Sequence, residues 1–312
     1  MRYVLRKLMT LVVTLFFVSL LAFLAFSIIP GDPAVLQLGI NATPEALEAL
    51  RQEMGLDRPV IVRYFEWLGE MLFGDMGRSF AHGLSVRELL GDRLMITGSL
   101  MGMSFLLTLA IALPVGLGSA GRQAGALHWT VTAVSQAVMA VPPLFLGLVL
   151  TFVFGATFRL FTPSAFVSFR ESLGGFLFYM LFPALAIALP KSAMIVRLIR
   201  SSVRGELKKD YVQTAISRGN APRAVLYRHV LRNIAVPVMT FSALMLIMMI
   251  TDSIVVEQVF SIPGAGRLLI SAIGARDYPV VQALVVVIAA MVMTIHALTD
   301  MLSRVIDRRI TL

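Results

Sequence analysis

The sequence has 312 residues, of which 58% are hydrophobic and 14% charged, with a mean hydropathy of +0.84 and a net charge of +9. Soluble domains are far less apolar, so the composition indicates an integral membrane protein. The chain has no cysteine, which excludes disulfides, cysteine-ligated zinc and iron–sulfur clusters, and its four scattered histidines form no local metal motif. The positive charge is typical of loops beside anionic lipid, and we expect no nucleic-acid partner.

Six apolar segments are long enough to cross about 30 Å of hydrocarbon, so the sequence predicts six membrane-spanning helices. They cover residues 8–29, 95–120, 129–158, 176–198, 234–256 and 280–302. The first segment follows three basic residues, as a secretion signal does, but its apolar run is too long and no small-residue cleavage site follows. We therefore expect it to be retained as a helix.

The distribution of basic residues predicts that both termini are cytoplasmic, because lysine and arginine concentrate in cytoplasmic loops. With the N-terminus inside, the inner side receives nine basic residues between positions 197 and 232, and in addition Arg2, Arg6, Lys7, Arg122, Arg304, Arg308 and Arg309. The first outer segment, residues 31–94, carries ten acids against six arginines.

This outer segment is too long for a turn and reads as a small helical insertion. A first helix is predicted to begin at Thr43-Pro44-Glu45, with proline in its first turn, and to stop at Gly55. A second is predicted over residues 59–73, where Tyr64 and Trp67 belong to an amphipathic face suited to the membrane interface. The chain is thus divided into residues 1–30, the N-terminus and first span; 31–94, the insertion; and 95–312, a five-helix core.

A basic segment, residues 210–233, interrupts the apolar sequence between the fourth and fifth spans, and we call it the elbow. A helix is predicted over residues 207–218, with Gly219 as its left-handed stop, and Pro222 begins a second helix that runs to about Leu231. Just before it, a helix leaving the membrane carries a basic stripe at three- to four-residue intervals, made of Arg197, Arg200, Arg204 and Lys208. An amphipathic elbow resting on anionic lipid is the alternative to a docking element.

No phosphate-binding loop is present, because the chain contains no Gly-Lys dipeptide. If ATP drives this protein, another subunit hydrolyses it.

The elbow resembles the EAA loop of importer-type ATP-binding-cassette permeases, whose pattern is Glu-Ala-Ala, three residues and glycine. Gln213, Thr214, Ala215 and Gly219 occupy those positions. Gln213-Thr214 in place of Glu-Ala, and residues 229–233 in place of Ile-x-Leu-Pro, are departures familiar in the branch that imports dipeptides, oligopeptides, nickel and glutathione.

Seven ordered segments across the chain also resemble that branch. They are PGDP at 30–33, GLDRP at 55–59, GDMGRSF at 74–80, DYV at 210–212, RHVLRN at 228–233, VEQVFSIPGAGR at 256–267 and RDYPVVQ at 276–282. The GLDRP and GDMGRSF segments resemble the B-type permease of this branch, not its C-type partner.

The resemblance implies a type I importer permease fold in a bacterial inner membrane, with a coupling loop at about residues 200–233. Its partners would be a C-type permease, two ATPases that use ATP and magnesium, an extracytoplasmic solute-binding protein and the lipid bilayer. The chain itself would bind no cofactor or metal and would not be an enzyme. The implied coupling residues are Gln213, Thr214, Ala215, Arg218, Gly219, Arg223, Arg228, His229, Leu231, Arg232 and Asn233.

Charged residues in or near the spans are candidates for the translocation pathway, because lone charges in lipid cost about 3 kcal/mol each. Lys191, Asp252 and Glu257 stand out, and Asp252 is a possible partner of Lys191. A structural ion pair and a pathway role both remain open. Pro263, Gly264 and Gly266 follow the fifth span as a predicted re-entrant or surface loop on the outer side, with a short helix from Arg267 onward, and are candidates for an outer gate.

A secondary transporter or channel is the alternative function. The halves show no internal repeat and the elbow occurs once, which counts against it. A membrane-bound enzyme lacks support, because the spans contain no spaced His/Asp/Glu cluster and no nucleophile motif.

Overall fold

The computed structural model describes residues 2–28, 33–39, 42–53, 55–120, 125–162 and 165–306. These ranges are mostly helical, with an isolated antiparallel bridge between Arg78 and Ser85 and no named strand among them. Five helices are long and apolar enough to cross a bilayer, and a bent pair makes a sixth if its halves form one span. The all-α prediction is confirmed.

The helices are α1 (Arg2–Ile28), α2 (Pro33–Leu38), α3 (Pro44–Glu53), α4 (Val60–Leu72), α5 (Val86–Ala120), α6 (Ala126–Ala140), α7 (Pro143–Leu150), α8 (Leu173–Glu206), α9 (Asp210–Ser217), α10 (Pro222–Val225), α11 (Leu231–Val259), α12 (Ala265–Gly274) and α13 (Tyr278–Ile306). Turns of π-helix extend α7 over Thr151–Thr157 and join α10 to α11 over Leu226–Val230. The chain forms two compact units, Met1–Thr97 with Pro263–Thr294, and Gly98–Ile262 with Ile295–Leu312.

In the first unit, α4 packs on α1 through one buried tyrosine. Tyr64 is 2% exposed, its hydroxyl lies 2.9 Å from Ser19 Oγ, and its ring meets those of Phe16 and Phe23 edge-on. On the hydrophobic face of α4 that the sequence predicts, Tyr64 is buried and Trp67 is half-buried, whereas Ile61 and Phe65, which lie outside that face, are exposed. The two predicted insertion helices are confirmed within one or two residues of their ends.

The same unit joins two of the sequence motifs through a buried carboxylate. Asp277, 1% exposed, accepts a hydrogen bond from Ser79 Oγ and others from the backbone N–H groups of Phe80, at 3.0 Å, and Ala81, at 3.3 Å. Unpaired buried acceptors are costly, so these bonds fix the 74–80 motif against the 276–282 motif. Apolar residues of α5, α12 and α13 form the core beside them, including Leu90, Leu268 and Leu284.

The second unit is built around α8, which packs against α6, α7 and α11. Gly116 of α5 lies so close to α8 that a Cβ there would stand 2.9 Å from Ile199 Cδ1, so a side chain would force the helices apart. At another part of the unit, Tyr179 donates a 2.5 Å hydrogen bond to the carbonyl of Phe260. The ring of Phe161 stacks on Phe182 at a centroid distance of 4.4 Å.

The third span is not the continuous helix predicted over residues 129–158. It is α6 followed by α7 and its π-helical turns, and the two halves are bent by 99°. The cause is the Pro142-Pro143 pair, because each ring restricts the residue before it to extended backbone and removes a backbone donor. Val141 and Pro142 accordingly have ψ values of 119° and 145°.

Other boundaries differ by shorter distances. The helix α5 begins at Val86, nine residues before the predicted span, and α12 begins at Ala265 instead of Arg267. After α8 ends at Glu206, α9 begins at Asp210 and not at Leu207, because residues 207–209 form a turn. The division into residues 1–30, 31–94 and 95–312 stays a prediction.

Candidate functional site

The elbow is a helix, a glycine corner and a second helix. Gly219 has φ +84°, a conformation that favours glycine, and its N–H donates to the carbonyl of Ile216 at 2.9 Å. Pro222 then begins the second helix, which continues without a break through the π-helical turns into α11. The predicted corner and second start are confirmed, but the predicted end near Leu231 is wrong because no helix-breaking residue stands there.

Three buried valines hold the elbow to the second unit. Val212 of α9, Val225 and Val230 are each at most 1% exposed and pack in the same core as Ile199 and Val203 of α8. Close-packed side chains of this kind transmit displacement, because interiors have low compressibility. A force applied to the elbow is therefore passed to α8 and α11.

A polar cluster holds the start of the elbow to its end. Tyr211 donates a 2.6 Å hydrogen bond to Glu206 Oε2, Lys209 pairs with Glu206 Oε1, and Asn233 Nδ2 donates to the Tyr211 hydroxyl at 2.9 Å. Burial raises the pKa of Tyr211, and the bond to the Glu206 carboxylate raises it further, so the hydroxyl remains protonated and donates. Asn233, predicted to contact an ATPase, thus has its side chain turned back onto the elbow, and Glu206 was missed.

The rest of the predicted coupling set divides by exposure. Exposed side chains are those of Gln213, Thr214, Arg218, Arg228, His229 and Arg232. Ala215 and Leu231 are half-buried, and Ala215 packs against the unit's own core, which limits how closely another protein can approach it. The backbone of Arg223 belongs to α10, but its side chain lies outside the described residues.

Two apolar side chains on the elbow's surface were missed by sequence reasoning. Ile216 is 41% exposed and Tyr227 is 59% exposed, whereas the three valines of the elbow are buried. Such side chains beside exposed arginines are typical of protein interfaces, where aromatic residues and arginine are enriched. Helical spacing does not reveal them, because Ile216 lies four residues after the buried Val212 and therefore on the same face of α9.

The predicted basic stripe before the elbow is not uniformly exposed. Arg200 is buried, and its guanidinium donates to Thr132 Oγ1 at 3.0 Å and contacts His128 Nδ1 at 2.8 Å, both on α6. Arg200 therefore joins α8 to α6, whereas Arg197 and Arg204 are exposed. Lys208 lies beyond the end of α8, in the turn before α9.

Lys191 and Asp252 meet inside the second unit, as their positions in the sequence suggested. Lys191 Nζ lies 2.8 Å from Asp252 Oδ2, outside the angles of a hydrogen bond, so the contact is an ion pair between α8 and α11. Lys191 is 4% exposed. The pair neutralises two charges that would be costly alone in an apolar bundle.

The remaining gate candidates belong to different units. Glu257, on α11, is 0% exposed. In the first unit, Gly264 and Gly266 are buried and Pro263 is half-buried, and the N–H of the neighbouring Ala265 donates to Thr97 Oγ1 at 2.8 Å. Residues 263–266 thus form the largely buried start of a helix. The prediction that they could form a surface loop is wrong. Within the described ranges no three His, Asp or Glu side chains meet to hold a metal ion.

Two family models match the chain. The model described as "Binding-protein-dependent transport system inner membrane component" covers residues 112–312, and its N-terminal counterpart covers residues 1–101. The chain belongs to this family of transport permeases. As a family member it is a permease subunit of an ATP-binding-cassette importer, and its function is transport and not catalysis.

Relatives of this permease extend over its whole length. A peptide transport system permease of Brucella suis biovar 1 (strain 1330) is 33% identical and covers 98% of both chains. The oligopeptide permease AppB of Bacillus subtilis (strain 168) is 32% identical over 99% of this chain and 98% of its own. The dipeptide permease DppB of Lactococcus lactis subsp. cremoris (strain MG1363) is 30% identical over 100% of this chain and 99% of its own.

A solved structure supports the permease fold. A chain of the MetNI methionine ABC transporter, in inward-facing conformations, matches with a TM-score of 0.57 at 17% identity. The match covers 70% of this chain and 97% of that chain. The predicted type I importer permease fold is confirmed.

Proposed function

We propose that this permease forms one half of a peptide translocation pathway. The observation that supports a peptide substrate is its end-to-end likeness to permeases named for peptides, dipeptides and oligopeptides. The other half would be a C-type permease, and a solute-binding protein would deliver the peptide. Both termini would face the cytoplasm of a bacterium, and the membrane would be the inner one.

The elbow is the proposed docking element for one of two partner ATPases, which hydrolyse ATP with magnesium. Its exposed arginines and the apolar Ile216 and Tyr227 supply the charge-assisted and hydrophobic contacts that such an interface uses. Its buried valines connect it to α8 and α11. Closure of the ATPases would then move these helices as packed bodies.

The Lys191–Asp252 pair is proposed as a structural connection between α8 and α11. The burial of Lys191 supports this role over direct contact with a peptide, because a pathway residue needs access to solvent. Glu257, Pro263, Gly264 and Gly266 remain proposed elements of the outer gate, because they stand near the end of α11 and the start of α12.

Purification and reconstitution test the proposed function. An importer purified through a tag on this chain is expected to contain a second permease and two ATPases. Placed in liposomes with its solute-binding protein, it is expected to accumulate labelled tri-alanine only with ATP and magnesium. Purification as a single-subunit complex that transports without ATP would contradict the proposal, and so would ATP-driven uptake of other solutes without any peptide uptake.

A further inference from the structure

Helix α4 packs against the second half of α1, a membrane-spanning helix, and this contact fixes its depth. The Tyr64 hydroxyl lies 2.9 Å from Ser19 Oγ and donates to the Phe16 carbonyl at 3.3 Å. The Trp67 ring lies beside the Phe23 ring, with a centroid distance of 5.5 Å. All three partners on α1 precede its last turn, so α4 lies beside the span and not beyond its end.

The length of α1 converts these contacts into a depth in the bilayer. After Lys7, its last charged residue, α1 rises about 31 Å to Ile28 at about 1.5 Å per residue. This rise matches the hydrocarbon thickness of about 30 Å, so Ile28 lies near the hydrocarbon edge. Along the axis, Ser19 lies about 14 Å and Phe23 about 8 Å short of Ile28. The side chains of α4 that contact them therefore lie below the headgroups.

One stripe of α4 is apolar and exposed. Ile61, Phe65 and Leu72 are 68%, 58% and 78% exposed, and Leu68 between them is half-buried. Residues that recur every three or four positions share one face of a helix, so these four side chains form a continuous stripe. The side of α4 that packs on α1 is a different one, and the described residues of the first unit leave the stripe largely uncovered.

The charged residues of α4 lie on the side opposite this stripe. Arg63, Glu66 and Glu70 recur every three or four positions and line a cavity whose other walls include the last turns of α1 and the first turn of α13. Glu66 is paired there with Arg58 at 2.7 Å. Charges are costly in hydrocarbon, so at this depth they are turned toward protein or water. The division of α4 into a charged and an apolar side is typical of a helix whose apolar side meets lipid.

The size of the stripe's side chains favours lipid over a second protein helix as the neighbour. Helices that pack together in membranes place small residues such as glycine, alanine and serine at their contacts. The stripe consists of isoleucine, leucine and phenylalanine. The exposed face of α1 carries side chains of the same kind, with Phe17 55% and Leu21 64% exposed. A soluble protein would not reach a surface below the headgroups.

We propose that α4 is inserted in the bilayer, with Ile61, Phe65 and Leu72 in contact with acyl chains of the leaflet farther from the N-terminus. In the proposed orientation this is the outer leaflet. Part of the 31–94 insertion thus lies within the membrane, where the stripe anchors α4 beside α1. The inference does not depend on the transported solute.

Photo-cross-linking from the stripe tests this placement. Phe65→p-benzoylphenylalanine replaces one aromatic side chain by a longer, photoreactive one, and the importer purified through a tag on this chain is illuminated in phospholipid nanodiscs. Mass spectrometry of this chain is expected to show phospholipid adducts, and fragmentation is expected to place them on the acyl chains. Phe17→p-benzoylphenylalanine, on the exposed face of α1, is the positive control.

Two further positions are the matched negative controls. Glu66→p-benzoylphenylalanine lies next to Phe65 but on the charged side of α4, and Glu45→p-benzoylphenylalanine lies at an exposed site of α3. Each is expected to give at least about tenfold fewer acyl-chain adducts than the Phe65 variant, because charged positions keep to water or protein.

Four results would overturn the proposal. They are cross-linking of the Phe65 variant to another protein subunit instead of lipid, adducts confined to headgroups, equal acyl-chain adducts at Phe65 and Glu45, and no adduct at Phe65 where Phe17 gives one. Because the adducts are read on this chain, the result holds whichever solute the importer transports.

Discussion

Gly219→Trp is expected to lower peptide uptake by about tenfold or more, the equivalent of losing about 1.4 kcal/mol or more of docking energy. The complex should still hydrolyse ATP. A Cβ at Gly219 meets no atom within 4 Å, so the indole would project from the corner into the space that an ATPase would occupy. The positive φ adds about 1–2 kcal/mol of local strain in this exposed loop. Uptake and ATP hydrolysis are measured on the same proteoliposomes.

Gly125→Trp is the matched control for this variant. Gly125 also has a positive φ, +100°, and a Cβ there also meets no atom within 4 Å, but it caps α6 and lies outside the elbow. Its tryptophan variant should transport at close to the wild-type rate. Normal uptake by an assembled Gly219→Trp importer would contradict the role of the elbow. Ala215 is a poorer test, because it packs on the unit's own core and a larger side chain there would also disturb folding.

Lys191→Met should destabilise the second unit by about 3 kcal/mol, because the change leaves Asp252 charged without its partner in an apolar bundle. The double variant Lys191→Met/Asp252→Asn should recover most of this loss, since it leaves no isolated charge. Lys208→Met removes an exposed lysine and should have almost no effect. The midpoint of thermal unfolding in detergent, measured for the wild type and all three variants, checks the expected order of their stabilities.

Transport by the double variant distinguishes the two roles of the pair. If the pair only joins α8 to α11, the double variant should recover uptake together with stability. Restored stability with uptake still lost would assign Lys191 or Asp252 to the translocation pathway and contradict the proposed structural role. Equal stability of Lys191→Met and the wild type would contradict the buried ion pair itself.

The parts of the fold that follow from local chemistry were predicted correctly. Gly219 was recognised as a corner because glycine alone adopts positive φ freely, and Pro222 as a helix start because it lacks a backbone donor. The Lys191–Asp252 pair was anticipated because isolated charges in lipid are unfavourable. Each of these three features can be predicted from a few neighbouring residues or from a single energetic rule.

The missed features depend on contacts that the sequence does not display. Asn233 contacts Glu206 from 27 positions away, and Ser79 bonds Asp277 across 198 positions, without any periodic pattern to connect them. The bend at Val141–Pro142 was overlooked because the apolar run through it is unbroken. Hydropathy measures how apolar a segment is and does not register a change in its direction.

The absence of native cysteine makes single-cysteine cross-linking the most direct test of the elbow's role. Arg218→Cys, labelled with a benzophenone maleimide in the assembled importer, is expected to cross-link to an ATPase subunit on illumination. Arg51→Cys, at a site on α3 whose side chain is 42% exposed and which lies outside the elbow, is expected not to cross-link to an ATPase. Cross-linking of Arg218→Cys to lipid alone, in a complex that contains its ATPases, would contradict the claim that an ATPase docks on the elbow.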